Sequence, residues 1–195
     1  MGEEDKLTDA KARPLRADAQ RNRDQVLAAA ARAFAKCGLE ATLEGIAKDA
    51  GVGIGTLYRH FPTREALIEA AYRKELATVC EAAPELLDKL PPAEALRTWM
   101  DRFADYMHRK MGMADALRAI IAAGANPYDH SLELLVGAIE PLLAAGIAAG
   151  ELRPDVSADD VLVSISGVAL AAGDRRDQAG RLLDLLLDGL RYRVT

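Results

Sequence analysis

Apolar residues recur at i, i+3, i+4 and i+7 over most of the chain, and no stretch alternates with the period of two that marks a strand. Helices packed on helices are therefore expected. Two short helical patterns meet between Ala41 and Leu67, in ATLEGIAKDAGVGIGTLYRHFPTREAL. The first places Leu43, Ile46, Ala47 and Ala50 on one face, with Thr42 as N-cap and Gly51 as the stop. The second, from Ile54 to Phe61, turns Ile54, Leu57 and Phe61 inward, which leaves Thr56, Arg59 and the flanks of Tyr58 and His60 facing out. Thr63 caps a third pattern expected over residues 63–82, whose register runs through Leu67, Ile68, Ala71, Leu76 and Val79. Leu90-Pro91-Pro92 is the strongest punctuation in the chain. Beyond it, helices are expected at about 92–110, 113–123, 129–150, 158–172 and 176–192, ended by Gly112, Gly124, Gly150 and Gly173. Ser157 to Asp160 reads as a capping box with Asp in place of Glu.

A polar, cationic and aromatic helix face behind a glycine-rich tight turn is the pattern of a helix-turn-helix, and such a face suits DNA. Ala47 is small enough for two helices to cross closely, and Gly51 supplies a positive φ without steric cost. Gly53 and Gly55 each cost about 1 kcal/mol if interior to a helix, but they remove side chains where a backbone can approach DNA. Arg64 opens the next helix, where backbone N–H groups and a guanidinium can hold one phosphate. A plainer reading stands beside each of these. Thr42 is a cap alone or a cap that also touches phosphate; His60 packs beside Phe61 or reaches DNA. For Tyr58 the alternative is a place at the rim of the core, and for Arg59 and Arg64 it is a solvated surface charge.

Charge agrees with a localised footprint. From Lys11 to Arg64 there are ten lysines and arginines against five acidic residues, a net of +5, whereas the whole chain carries −5. A basic segment that coincides with the motif in an acidic protein points to specific nucleic-acid contact over general coating. Half of the residues are hydrophobic and only 5% aromatic, which suits a helical fold. Cys37 and Cys80 are far apart in sequence and form neither a metal-ligand doublet nor a disulfide framework, so a reducing cytoplasm is expected. The opening MGEEDKLTDAKARP lacks a signal-peptide pattern, and no apolar run was expected to approach the roughly 18 to 20 residues of a membrane span. Residues 1–18 are expected to lack regular structure. Lys11, Arg13, Arg16, Arg21 and Arg23 form either an arm that reaches neighbouring phosphates or a solvated tail.

The segment Gly53 to Phe61, read as GxxxLYxHF and followed by Thr63 and a basic residue, appears in full, with the helix RDQVLAAAARAFAKCGLEA before it. Over roughly residues 21 to 72 the chain resembles the DNA-binding domain of the TetR/AcrR family of transcriptional regulators. The resemblance implies an all-α homodimer, with a three-helix N-terminal helix-turn-helix domain over residues 19–66. A C-terminal helical bundle for effector binding and dimerisation would follow over residues 67–195. It further implies DNA-backbone contacts from Thr42, Tyr58, His60 and Arg64, and groove-facing roles from Gly53 to Arg59. The chain departs from the pattern at Ile54 and Gly55, which offer no hydrogen-bonding side chain. Base readout is then left to Thr56, Arg59 and Glu44.

Two features of the C-terminal part bear on mechanism. Trp99, Met100, Phe103, Tyr106, Met107, Met111, Met113 and Tyr128 hold the only tryptophan and four of the five methionines. Such side chains either line an adaptable apolar pocket or form an ordinary core; for an effector site the candidates are Trp99, Phe103, Tyr106, Met107, Met111 and Tyr128. The last two helices carry stripes that suit an intermolecular four-helix bundle, with Ile165, Val168, Ala172, Leu182, Leu183, Leu186 and Leu190 as candidate dimerisation residues. Packing within one chain is the alternative for them.

No catalytic constellation is expected. His60, His108 and His130 lack ligand-spaced partners, there is no phosphate-binding glycine loop, and no nucleophile stands at a strand-to-helix turn. Neither cofactor nor metal is called for. The expected protein is a cytoplasmic homodimeric regulator, in the first instance a repressor, that binds a palindromic double-stranded operator and is released by a small hydrophobic or amphipathic effector. Release would be a population shift in which the connector from Thr63 swings and spoils the spacing of the two recognition helices. The rival reading is a DNA-binding regulator that answers to a protein partner or to no ligand.

Overall fold

The computed structural model describes residues 4–191, with side chains described from Asp18 onward. The elements are α1 (Glu4–Cys37), a 3₁₀ turn (Gly38–Glu40), α2 (Leu43–Asp49), α3 (Ile54–His60), α4 (Arg64–Leu87), α5 (Pro92–Gly112), α6 (Ala114–Ala122), α7 (Ser131–Ala148), α8 (Ala158–Ala172) and α9 (Arg176–Arg191). Among the described residues there is no strand. The backbone is helical from Glu4, whereas regular structure was expected only after residue 18.

The chain divides into two compact units, one comprising residues 1–72 with 112–123 and the other residues 73–111 with 124–195. This differs from a single cut between residues 66 and 67. In the first unit α1, α2 and α3 pack on one another, and Val26, Leu27, Ala30, Phe34, Ile46, Leu57, Phe61, Leu67 and Ile68 are buried. The unit also takes in α6, which packs against the 3₁₀ turn and buries Ala116, Leu117 and Ile120. Just before α6, a Cβ on Gly112 would stand 2.3 Å from the Ala35 carbonyl oxygen, so only glycine permits that approach to α1.

In the second unit, α4 does not stop near Ala82 as expected. It runs to Leu87 through Pro84 because Val79, Ala82, Ala83 and Leu86 continue the buried register while Pro84 faces solvent. The proline removes one N–H from the helix ladder. One turn earlier the Trp99 indole N–H donates to the Val79 carbonyl at 2.8 Å. Trp99 stacks on Phe103 at 5.6 Å between centroids, and Phe103 meets Tyr106 at 5.8 Å. All three rings are buried. The Glu151 carboxylate accepts from the Ala93 N–H at 2.8 Å, satisfying one of the orphan donors at the start of α5. The expected capping box at Ser157 and Asp160 forms in full. Cys80 donates to the Leu134 carbonyl at 3.5 Å, and burial pushes its thiol up to about 11.

One expectation is corrected. With a mean hydropathy of 1.6 over Ser131–Ala148, α7 is long and apolar enough on length and composition to cross a membrane. It packs against α8, however, and buries Leu135, Ala138, Ile139, Leu142 and Leu143, which is how a core helix spends such residues.

The stacked cluster predicts a large cost for truncation. Phe103→Ala is expected to lose about 3–5 kcal/mol of stability, read by urea denaturation followed at Trp99. A loss under about 1 kcal/mol would mean that the rings are loosely held.

Candidate nucleic-acid interface

The interface is organised by the end of α2. Gly51 adopts φ +67°, Val52 N–H donates to the Ala47 carbonyl at 3.0 Å, and Gly51 N–H donates to the Lys48 carbonyl at 3.1 Å. These two bonds form a Schellman motif, which closes the helix and sends the chain into α3. At the other end of α2 the Thr42 hydroxyl accepts from the Gly45 N–H at 3.1 Å. Its own O–H remains available to donate, so capping and a phosphate contact are compatible.

Leu57 and Phe61 anchor α3, being 0% and 3% exposed. Ile54 was expected beside them, but at the first position of α3 it is 37% exposed and turns toward solvent. Tyr58 is 46% exposed, Arg59 and Glu44 are exposed, and Thr56 and His60 are half-buried. The His60 ring lies 6.2 Å from that of Phe61. Arg59 has no hydrogen-bond or ion-pair partner among the described residues. A Cβ added at Gly53 or Gly55 would meet nothing within 4 Å. Packing therefore does not demand glycine at either place, and Gly55 weakens a seven-residue helix.

Three other cations near the motif, Arg23, Arg32 and Arg64, have partners in the protein. Arg23 lies over the Phe61 ring at 5.5 Å, and Arg32 pairs with Asp49 at 2.7 Å. Arg64 is tied down most firmly. It donates to the carbonyls of Leu39 and Ala41, both at 2.6 Å, and lies over Phe34 at 5.2 Å, none of which the sequence pattern signalled.

The other candidate residues lie in the second unit. Trp99, Phe103, Tyr106 and Met107 are buried, while Met111 and Tyr128 are half-buried. The Lys110 ammonium sits 4.7 Å from the Tyr128 ring. A crevice of about 220 Å³ in this unit is lined by other residues, including Asp101, Asp105, His108, Ala169, Arg176 and Leu183. Asp105 pairs with Arg176, and His108 lies 3.4 Å from Asp174. Of the candidate dimerisation residues, Ile165, Ala172, Leu183 and Leu190 are buried against their own chain, and Val168, Leu182 and Leu186 are half-buried. The large hydrophobic residues that α8 and α9 expose are instead Val163, Leu170 and Leu185, at 71%, 59% and 67%. In α8 the signal for them was a second apolar stripe at i and i+7. No group of three or more histidine, cysteine or acidic side chains suited to a metal occurs among the described residues.

A capped helix-turn-helix with an outward polar face, in a chain that also holds a larger helical unit, defines the class of DNA-binding regulators. The family described as bacterial regulatory proteins, tetR family, matches residues 26–71, and the C-terminal domain described as transcriptional regulator SbtR-like matches residues 91–192. The HTH-type transcriptional repressor KstR2 of Rhodococcus jostii is 30% identical over 148 residues, 70% of this chain and 71% of that protein. A TetR transcriptional regulator from Streptomyces coelicolor has a solved structure that is 56% identical with a TM-score of 0.86, covering 88% of this chain and 99% of that one. A TetR regulatory protein from Mycobacterium vanbaalenii is 32% identical with a TM-score of 0.76, covering 92% and 100%. The chain belongs to the TetR family of transcriptional regulators.

If Gly55 is kept for DNA and not for the fold, Gly55→Ala is expected to stabilise the protein by about 0.4–1 kcal/mol while weakening DNA binding. Thermal denaturation and a binding titration on the same sample decide it. Unchanged affinity would remove the close approach assigned to this position.

Proposed function

We propose that this protein is a homodimeric repressor that sets the outer face of α3 in the major groove of a palindromic operator and leaves it when a small apolar or amphipathic molecule binds the second unit. The observation that carries the reading is the face itself: Tyr58 and Arg59 exposed, Thr56 and His60 at its edges, and Gly53 and Gly55 open where packing asks for no glycine. Thr42 and Tyr58 reach phosphates, while Thr56, Arg59 and Glu44 face base edges. Repression is supported by similarity to proteins named as repressors.

Support for a dimer comes from Val163, Leu170 and Leu185, large apolar side chains left in water on adjacent helices. The crevice of about 220 Å³ supports a small-molecule effector. A second reading, a regulator without such an effector, is favoured by the close stacking of Trp99, Phe103 and Tyr106 in the region first expected to form the pocket. Selection of bound duplexes from random DNA by the purified protein tests the core of the proposal. It should return a palindrome with half-sites about 34–36 Å apart or a multiple of that; no enrichment would refute sequence-specific binding. A thermal-shift screen of hydrophobic metabolites then separates the two readings, because a ligand of the folded state raises the melting temperature.

The dimer carries its own prediction. Leu185→Glu places a charge in the proposed interface and should yield folded monomers with poor affinity for the selected duplex. Sedimentation of wild type as a monomer at micromolar concentration would contradict the assembly.

A further inference from the structure

The C-terminal end of the 3₁₀ turn leaves two carbonyls, those of Leu39 and Ala41, outside any helix ladder. Backbone carbonyls in that position are left to water or to a donor from elsewhere in the chain. Both are supplied by one side chain: Arg64 Nη2 donates to Leu39 and Nη1 to Ala41, each at 2.6 Å, while the guanidinium plane lies 5.2 Å over Phe34 of α1. Ala41 immediately precedes Thr42, the residue that caps α2 and offers its hydroxyl outward. The same turn is packed against α6.

We infer that Arg64 is a positioning residue and not a phosphate ligand: it ties the first turn of α4 to the junction of α1 and α2 and so fixes where Thr42, Glu44 and α3 meet DNA. The inference rests on the DNA-binding reading above. A guanidinium suits the task because its planar fork addresses two acceptors at once while its face stacks on a ring. An ammonium has the charge but not the fork. The tie is formed in the free protein and takes one N–H from each terminal nitrogen, two of the five donors of the group, so the protein sets the plane and direction of the guanidinium before DNA arrives.

The full-length wild type, Arg64→Lys and Arg64→Ala discriminate the two roles. The probes are the duplex that the wild type selects from random DNA and a shuffled duplex of the same composition. A positioning role predicts that Arg64→Lys, although still cationic, loses on the order of tenfold in the ratio of selected to shuffled affinity, comparable to a mismatched base pair. The slope of log affinity against log salt is unchanged in both variants, and amide exchange over residues 39–45 of the free protein becomes faster. A phosphate contact predicts the reverse: Arg64→Lys behaves as wild type, and Arg64→Ala lowers the slope by about one unit per protomer. That fall in slope overturns the inference whatever the other readings show. So does a loss of stability with an unchanged affinity ratio, which would make the tie structural only. If the wild type binds no duplex, the functional reading fails, while unchanged exchange over residues 39–45 in Arg64→Lys still refutes the tie.

Discussion

The geometry of the DNA-binding unit depends on one backbone constraint, the left-handed conformation of Gly51. With φ at +67° the chain reverses within three residues, and the carbonyls of Ala47 and Lys48 accept the N–H groups of Val52 and Gly51. A side chain at this position would cost about 1–2 kcal/mol and loosen the entry to α3. Once the turn is closed, Leu57 and Phe61 can bury against the unit, and the remaining face of a seven-residue helix has nowhere to go but outward. The exposure of Tyr58 and Arg59 follows from the turn and the two anchors together.

Much of this was legible because local rules and tertiary packing agree. The Thr42 cap, the Gly51 stop and the capping box at Ser157 each need only residues within one or two turns. Ile54 departs from the pattern for a simple reason. It shares the helical stripe of Leu57 and Phe61, but as the first residue of α3 it lies where the face has just left the turn, and it is 37% exposed. The partners of Arg64 lie 23 and 25 residues back on a turn that periodicity does not describe, so its role depended on coordinates.

The second unit shows the limit of reading stripes. Both α8 and α9 are apolar over more of their circumference than one core can use, and a periodic pattern cannot say which half meets its own chain. Ile165, Leu183 and Leu190 are spent inside the protomer, leaving Val163, Leu170 and Leu185 outside. The end of α4 lies beyond the expected residue 82 because its buried register continues past Pro84, a residue type that ordinarily ends a helix. The assignment of α6 to the first unit was also hidden, since its contacts with the 3₁₀ turn are long-range and its own pattern is that of any amphipathic helix.

The most direct test of the central claim, that the faces presented by α2 and α3 meet DNA, is amide hydrogen exchange of the full-length protein with and without its selected duplex. Protection is expected over residues 42–45 and 53–60, with little change in α8 and α9. Protection confined to the second unit, or absent from residues 53–60, would contradict it.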